Sequence, residues 1–277
     1  MRTFHVAADL LREAAARKWF LGLGVAITLS LLGLVGGLRL DVVDGALAAT
    51  RLLGSSLFTS IQPVEVALRP VFIAASYLIS YGGVAFGLLA CADFAPALLS
   101  PGRIEHLLSL PVRRWELLLG TFLGVCLLGL IGAVYGAGGL LLILGAKTGV
   151  WTWQPLLAAL LAVVGFATVY TGMLMSAVFV RSAAVSAAVG ALLLVSGILS
   201  GHRRAILASM GEGAGRAVFA AWSRVMPPLS SLADTAADVA AGRTVALAQV
   251  GAVVAGCALF SAGTLALAVW RFEQRDF

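Results

Sequence analysis

The sequence predicts an all-α, polytopic membrane protein with six transmembrane helices behind an amphipathic N-terminal helix. Two observations carry this. Of 277 residues, 61% are hydrophobic and only 12% charged, with a mean hydropathy of +1.02; a soluble domain is about a quarter charged and near half apolar. The apolar residues also gather in six runs, 19–38, 71–91, 117–145, 155–180, 183–200 and 248–270, each approaching or exceeding the roughly 20 residues that cross a ~30 Å hydrocarbon core. A water-soluble globule, a secreted disulfide scaffold and a disordered chain are thereby excluded. So is a spanning barrel, because the runs are apolar on every face instead of alternating. With every backbone group needing a partner inside lipid, helices remain.

Residues 2–18 precede the first run and are too polar for a signal peptide, with Arg2, Asp9, Arg12, Glu13, Arg17 and Lys18. Phe4, Ala7, Ala8, Leu11, Ala14 and Ala15 form an apolar stripe at helical spacing, with His5, Asp9, Arg12 and Glu13 opposite and Glu13–Arg17 as an i,i+4 pair. This is an elbow helix in the interface plane, entering the first span at the aromatic pair Trp19–Phe20. It serves either as a surface anchor or as a lever for a cytoplasmic partner.

Within the spans, the pairs Gly83/Gly87, Gly120/Gly124, Gly132/Gly136 and Gly197/Gly201 have the four-residue spacing that lets helices approach closely. Between the second and third spans, Ser100–Pro101 reads as a helix start with a side-chain cap. Ile104, Leu107 and Leu108 then give a short apolar face, leaving Arg103, Glu105 and His106 to solvent, and Pro111 stops the helix. Residues 100–111 are thus a short stiff rod between two spans, suited to transmitting force; an interfacial re-entrant turn is the alternative. Arg181–Ser182 is a tight helical hairpin, and the third run is long enough either to tilt or to end in an interfacial turn around Gly145–Gly149.

The external segment 201–247 carries two apolar stripes, Val218/Ala221/Trp222/Val225 and Leu229/Leu232/Ala233/Ala236, separated by Met226-Pro227-Pro228. These read as short helices dipping into the outer leaflet, where they could cap a pathway. The periodicity disfavours a disordered loop.

Cys91, Cys126 and Cys257 lie in or beside apolar runs without CxxC spacing or clustered His, so no metal site or disulfide is indicated. The net charge of +6, without aromatic-interleaved basic patches, points to anionic lipid and away from nucleic acid. With both termini cytoplasmic, Arg2, Arg12, Arg17, Lys18, Arg103, Arg113, Arg114, Arg181, Arg271 and Arg275 lie inside and the other nine basic residues outside. The inside segments are shorter and so denser in charge, which sets the expected orientation.

The stretch from Gly102 to Gly120 resembles the cytoplasmic loop of type-2, export-type ABC transporter permeases, in which Gly-x-x-Glu-x-Leu-Leu precedes Leu-(Ser/Ala)-x-Pro-Val-Ser-Arg. The matching residues are Gly102, Glu105, Leu107, Leu108, Pro111, Val112, Arg114 and Gly120. The ending Trp270 to Phe277 is similar as well, and the pattern of spans fits the family over the whole chain. Ser100–Pro101 stand where the family often has acidic residues, and Thr121 where it often has lysine. The resemblance implies a homodimeric permease in the inner (cytoplasmic) membrane, driven by separate ATPase subunits that hold ATP and Mg, with no cofactor on this chain. An accessory extracytoplasmic protein is a further partner. Residues 101–110 would be the coupling helix, and Gly102, Arg103, Glu105, His106, Leu107, Leu108, Pro111, Arg113 and Arg114 the coupling residues. Length and outer loop resemble the permeases of nitrous-oxide-reductase maturation and of gliding motility.

An enzyme is disfavoured: the chain lacks His-Glu-x-x-His, the Gly-x-Ser-Gly of an intramembrane protease, and the phosphate-binding Gly-x-x-x-x-Gly-Lys-Ser/Thr. A partner-free secondary transporter or a membrane scaffold is the rival reading. No Asp, Glu, Lys or Arg occupies the centre of any run, where ion coupling would want one. Tyr77, Tyr81, Tyr135, Tyr170 and Thr171 are the polar candidates for lining a pathway, with helix–helix hydrogen bonding as their commoner role.

Overall fold

A computed structural model describes residues 2–16, 18–43, 46–52, 55–58, 62–100, 102, 104–105 and 113–274. Helix α1 (Arg2–Ala16) leads into α2 (Lys18–Gly37) through a 68° bend. The second span is built from α3 (Val64–Tyr77), a π-helical turn (Leu78–Gly83), α4 (Val84–Cys91) and α5 (Phe94–Leu98). Then come α6 (Arg114–Thr148), α7 (Gln154–Val180) and α8 (Ala183–Gly201). The outer segment holds α9 (Arg203–Ser209), α10 (Ala214–Val225) and α11 (Leu229–Ala240), and α12 (Leu247–Glu273) closes the fold. Five helical stretches are long and apolar enough to cross a membrane, Val66–Leu98, α6, α7, α8 and α12, and the bent α1–α2 pair makes a sixth. The protein is a polytopic helical membrane protein.

Outside the spans, β1 (Leu38–Val43), β2 (Ala46–Leu52), β3 (Ser55–Phe58) and β4 (Gln62–Pro63) form a small antiparallel sheet. β2 is central, pairing with β1 on one edge and with β3 and β4 on the other. The alternation Leu38, Leu40, Val42 against Arg39 and Asp41 is the period-two signal for it. The connection lies between two apolar runs, so the span pattern assigns it no structure.

The turns follow local chemistry. Gly149 ends α6 in the left-handed region at φ 72°. At the hairpin between α7 and α8, Arg181 itself adopts φ 53° and Ser182 Oγ accepts from Val185 N–H. α7 is the centre of the bundle, with 61% of its apolar window buried against 11% for α12; its small residues let neighbours close on every side.

Three of the four glycine pairs are contact points. A Cβ at Gly120 would lie 2.6 Å from Val6 Cβ, and one at Gly124 3.2 Å from Ala7 O, so α1 is seated on the first turns of α6. Gly132 and Gly136 face Leu23 and Ile27 of α2. Gly197 and Gly201 face Leu229 and Ser230 of α11. In the fourth pair only Gly87 is tightly covered, by Phe166, while Gly83 is open.

The buried face of α1 needs a correction. Of its stripe only Ala7 and Ala14 are buried, and Leu10, outside the stripe, is buried with them, with Val6 packed beside them. Phe4, Ala8 and Ala15 are exposed. The helix therefore has two apolar faces, one against α6 and one left for lipid, and spacing alone could not rank them. α10 forms over the expected stripe, with Val218, Ala221 and Val225 exposed.

Candidate functional site

Two regions concentrate the functional candidates. The first is the face where the ends of α1, α5, α6, α7 and α12 meet. At 35 residues α6 rises roughly 52 Å, well beyond a ~30 Å core, so its first turns can stand in the interface with α1 along them. Leu117 and Leu118 are fully enclosed there, in one cluster with Leu10, Ala14, Phe94, Leu99, Ile104 and Phe272.

Ile104 is 2% exposed while its neighbour Glu105 is exposed. The connection after α5 is thus pinned to the bundle by one apolar side chain, with the adjacent carboxylate left in solvent. Gly102 sits at φ 80°, a left-handed conformation that favours glycine. The Ser100 hydroxyl donates 2.8 Å to Ala97 O at the end of α5, and the Ser100 carbonyl accepts from Ile104 N–H at 3.1 Å. Arg103, His106, Leu107, Leu108 and Pro111 lie outside the described residues.

Arg113 caps α6: its backbone N–H donates 2.8 Å to Glu116 Oε2, the return half of a capping box. Arg114 is half-buried, and its guanidinium donates 3.3 Å to the Glu273 carbonyl at the end of α12. Arg271 lies 5.8 Å over the Phe179 ring at the end of α7. Phe20 of α2 meets Phe94 of α5 at 6.3 Å between ring centroids. These contacts place the N-terminal helix, the Glu105 connection, the α7–α8 hairpin and the end of α12 on one side of the membrane, whichever side that is.

The second region is inside the spans. Tyr77, Tyr81, Tyr135, Tyr170 and Thr171 are brought to four separate settings. Tyr135 is 48% exposed and shares a 2.8 Å hydrogen bond with Thr28 Oγ1 of α2. Tyr170 is buried in the main core beside Phe166. Thr171 is fully buried and accepts from Thr264 Oγ1 of α12 at 2.8 Å, while Ser261 Oγ reaches Thr168 Oγ1 at 3.3 Å. These two bonds make a polar seam between α7 and α12, the helix–helix role weighed for such residues.

Tyr77 and Tyr81 stay together. Their rings lie parallel within 2° at 6.0 Å, and Tyr77 Oη donates 2.8 Å to Asp234 Oδ1 of α11. Sequence analysis missed Asp234, which belongs to no apolar run. The fold carries it inward because α11 re-enters the bundle. Leu232 of α11 packs against Gly165, eleven residues into α7 and so roughly 16 Å along its axis. Ala236 and Ala240 then climb back toward Ala158. The sequence signal was the Leu229/Leu232/Ala233/Ala236 stripe, all buried here.

On the other flank of α3 and its π turn, an apolar groove of about 410 Å³ opens between α2, α6 and α7. Leu23, Ile27, Leu78, Ile79, Gly82 and Phe166 are among its walls. Among the described residues no three His, Cys, Asp or Glu converge as metal ligands would, and Cys91, Cys126 and Cys257 form no disulfide among the described residues.

A family model described as ABC-2 family transporter protein matches residues 6–277. No curated protein matches the chain.

Proposed function

The chain belongs to the ABC-2 family of transporter proteins, and from that premise we propose that it works as a homodimeric permease of an ATP-driven exporter. Separate ATPase subunits, holding ATP and Mg, dock on the face that gathers α1, the Glu105 connection and the capped start of α6. That face is then cytoplasmic, as are both termini, and the membrane is the inner membrane. The likeness to nitrous-oxide-reductase maturation and gliding-motility permeases belongs to this reading, as does an accessory extracytoplasmic protein beside the outer segment.

The observation that carries the reading is the pairing of a buried Ile104 with an exposed Glu105. A segment anchored to the bundle by one side chain, and presenting a charge from the next, passes a push on that charge directly to the packed core. The core is close-packed and moves as a unit. The push reaches α1 and α6 together, because Gly120 and Gly124 hold those helices in contact. ATP shifts the bundle only if one arrangement of the face binds the closed ATPase pair better; moving from 1:99 to 99:1 needs about 5.5 kcal/mol of such preference.

The test is purification of the tagged chain in mild detergent, with identification of co-purifying proteins and an ATPase assay. A stoichiometric ATP-binding partner, lost when Arg103→Glu is combined with Glu105→Arg, supports the reading. A double variant that keeps both partner and transport removes the coupling role from this segment.

A further inference from the structure

We propose that Asp234, beside the stacked rings of Tyr77 and Tyr81, is a membrane-embedded site for the positively charged nitrogen of an amphiphilic ligand, an alkylammonium with an apolar body. Calling that ligand a transported substrate rests on the permease reading; its binding does not.

A carboxyl group at this depth is expensive, and such residues in membrane proteins mark ligand or ion paths. Asp234 is exposed on the bundle surface and lies at the level of the α7 residues between Ala158 and Gly165 that α11 packs on. If its role were only to tie α11 to α3, a serine, threonine or asparagine would accept the Tyr77 hydrogen bond at far lower cost. A carboxylate has about four acceptor positions. Tyr77 Oη fills one at 2.8 Å, and among the described residues no other hydrogen bond or ion pair reaches Asp234. The nearest arginine of the same segment is committed elsewhere, Arg243 donating 2.7 Å to Asp238. The second observation is aromatic. Tyr77 and Tyr81 stack one helical turn apart, giving a π surface next to the carboxylate, and an ammonium is attracted to both.

The body of the ligand has a place as well. Leu78 and Gly82 follow Tyr77 and Tyr81 in sequence and line the 410 Å³ groove, within the roughly 300–1,000 Å³ of small-molecule sites. Leu78 is 69% exposed, so the edge of the second span between the charged site and the groove is open. The π turn that holds this edge, Leu78–Gly83, is a feature often found at functional positions.

The experiment is equilibrium binding of dodecyltrimethylammonium to the purified chain in phosphatidylcholine nanodiscs, with dodecanol as the neutral probe of equal tail. Saturable binding of the cation is expected, falling on the order of tenfold in Asp234→Asn, the worth of one charged contact. It should be retained in Asp234→Glu and weakened in Tyr81→Leu, with dodecanol unaffected in all three. If Asp234→Asn does not fold, displacement of the probe from the native chain by tetramethylammonium takes its place. Equal binding of both probes, untouched by Asp234→Asn or by tetramethylammonium, overturns the proposal and leaves only an apolar groove. A change in oligomeric state without a change in probe binding also overturns it, assigning Asp234 to a contact between copies. Weaker probe binding in these nanodiscs than in dodecyl maltoside micelles, which carry no ammonium group, supports the site with a lipid headgroup as its natural occupant; equal binding supports it with a free amine. No ATPase or nucleotide enters the assay, so it fails or succeeds independently of the purification that tests the permease reading.

Discussion

The guanidinium of Arg114 reaches the backbone carbonyl of Glu273 across 159 positions of sequence, at 3.3 Å. That carbonyl is one of the last in α12, which have no partner inside their own helix, and a cation suits the negative end of a helix. The residue that family likeness assigns to coupling therefore also fastens the last span to the third. Arg114→Gln should cost about 1 kcal/mol or less, because the bond is exposed. It should nevertheless loosen the end of α12. Limited trypsin digestion checks this: cleavage after Arg271 should be faster in the variant at unchanged melting temperature, and equal rates would show that the tie holds nothing.

The seat of α1 makes a sharper prediction. At Gly120 a Cβ would meet Val6 Cβ at 2.6 Å and Thr3 O at 2.9 Å, and a backbone oxygen cannot rotate away. Gly120→Val should cost about 1–3 kcal/mol by overpacking and push α1 off α6. Ala7→Cys reports the displacement: Ala7 is 1% exposed, so a thiol there should resist a polar maleimide in the parent and react in the Gly120→Val background. Gly22→Ala is the control, since nothing lies within 4 Å of its Cβ, and should leave labelling unchanged.

The membrane part of the fold was legible because burial in lipid demands uninterrupted apolar runs, and Arg181–Ser182 interrupts them where the chain turns. Of the glycine pairs, Gly120/Gly124 and Gly197/Gly201 mark close approaches, while Gly132/Gly136 make ordinary contact with α2. Direction was less legible. The stripe of α1 held both its packed and its open face, and Phe4 at 67% exposure has no sequence mark separating it from Ala7. Asp234 was hidden because depth in a membrane protein comes from the path of the chain, and α11 enters the bundle from outside instead of lying in a run. In the segment after α5, Ile104 is buried and Glu105 exposed, as an apolar and a charged side chain dictate.

The junction of α8 and α11 rests on small residues and hydroxyls. Ser230 Oγ donates 2.9 Å to Ile198 O, and Ser200 Oγ donates 2.7 Å to Pro227 O. Gly201 lies against Ser230, and a Cβ there would also come within 2.7 Å of Ser231 N. Gly201→Val should displace the re-entrant helix, whereas Ser230→Ala should cost only about 1 kcal/mol for one lost hydrogen bond. Cysteine accessibility at Ala236, fully buried against the Ala158 region, separates the two. Labelling of Ala236→Cys should rise strongly with Gly201→Val and little with Ser230→Ala; equal responses would mean that the hydroxyl, not the close approach, holds α11.

Ile104 and Glu105 allow stability and coupling to be separated at adjacent positions. Ile104 is 2% exposed in the main core cluster, so Ile104→Ala leaves a cavity and should cost about 2–5 kcal/mol. Glu105 is exposed, and Glu105→Lys should change stability by no more than about 0.5 kcal/mol. If the face transmits force from an ATPase, the order reverses for partner binding. Reversing the Glu105 charge should weaken co-purification of the ATPase at an unaltered melting temperature. Ile104→Ala should lower the melting temperature while leaving the partner's affinity for the folded fraction largely intact, yet uncouple ATP hydrolysis from transport, because the contact is kept and its anchor lost. A Glu105→Lys protein that retains full ATPase binding would move the docking charge elsewhere on this face, with the exposed Arg113 next to be tested.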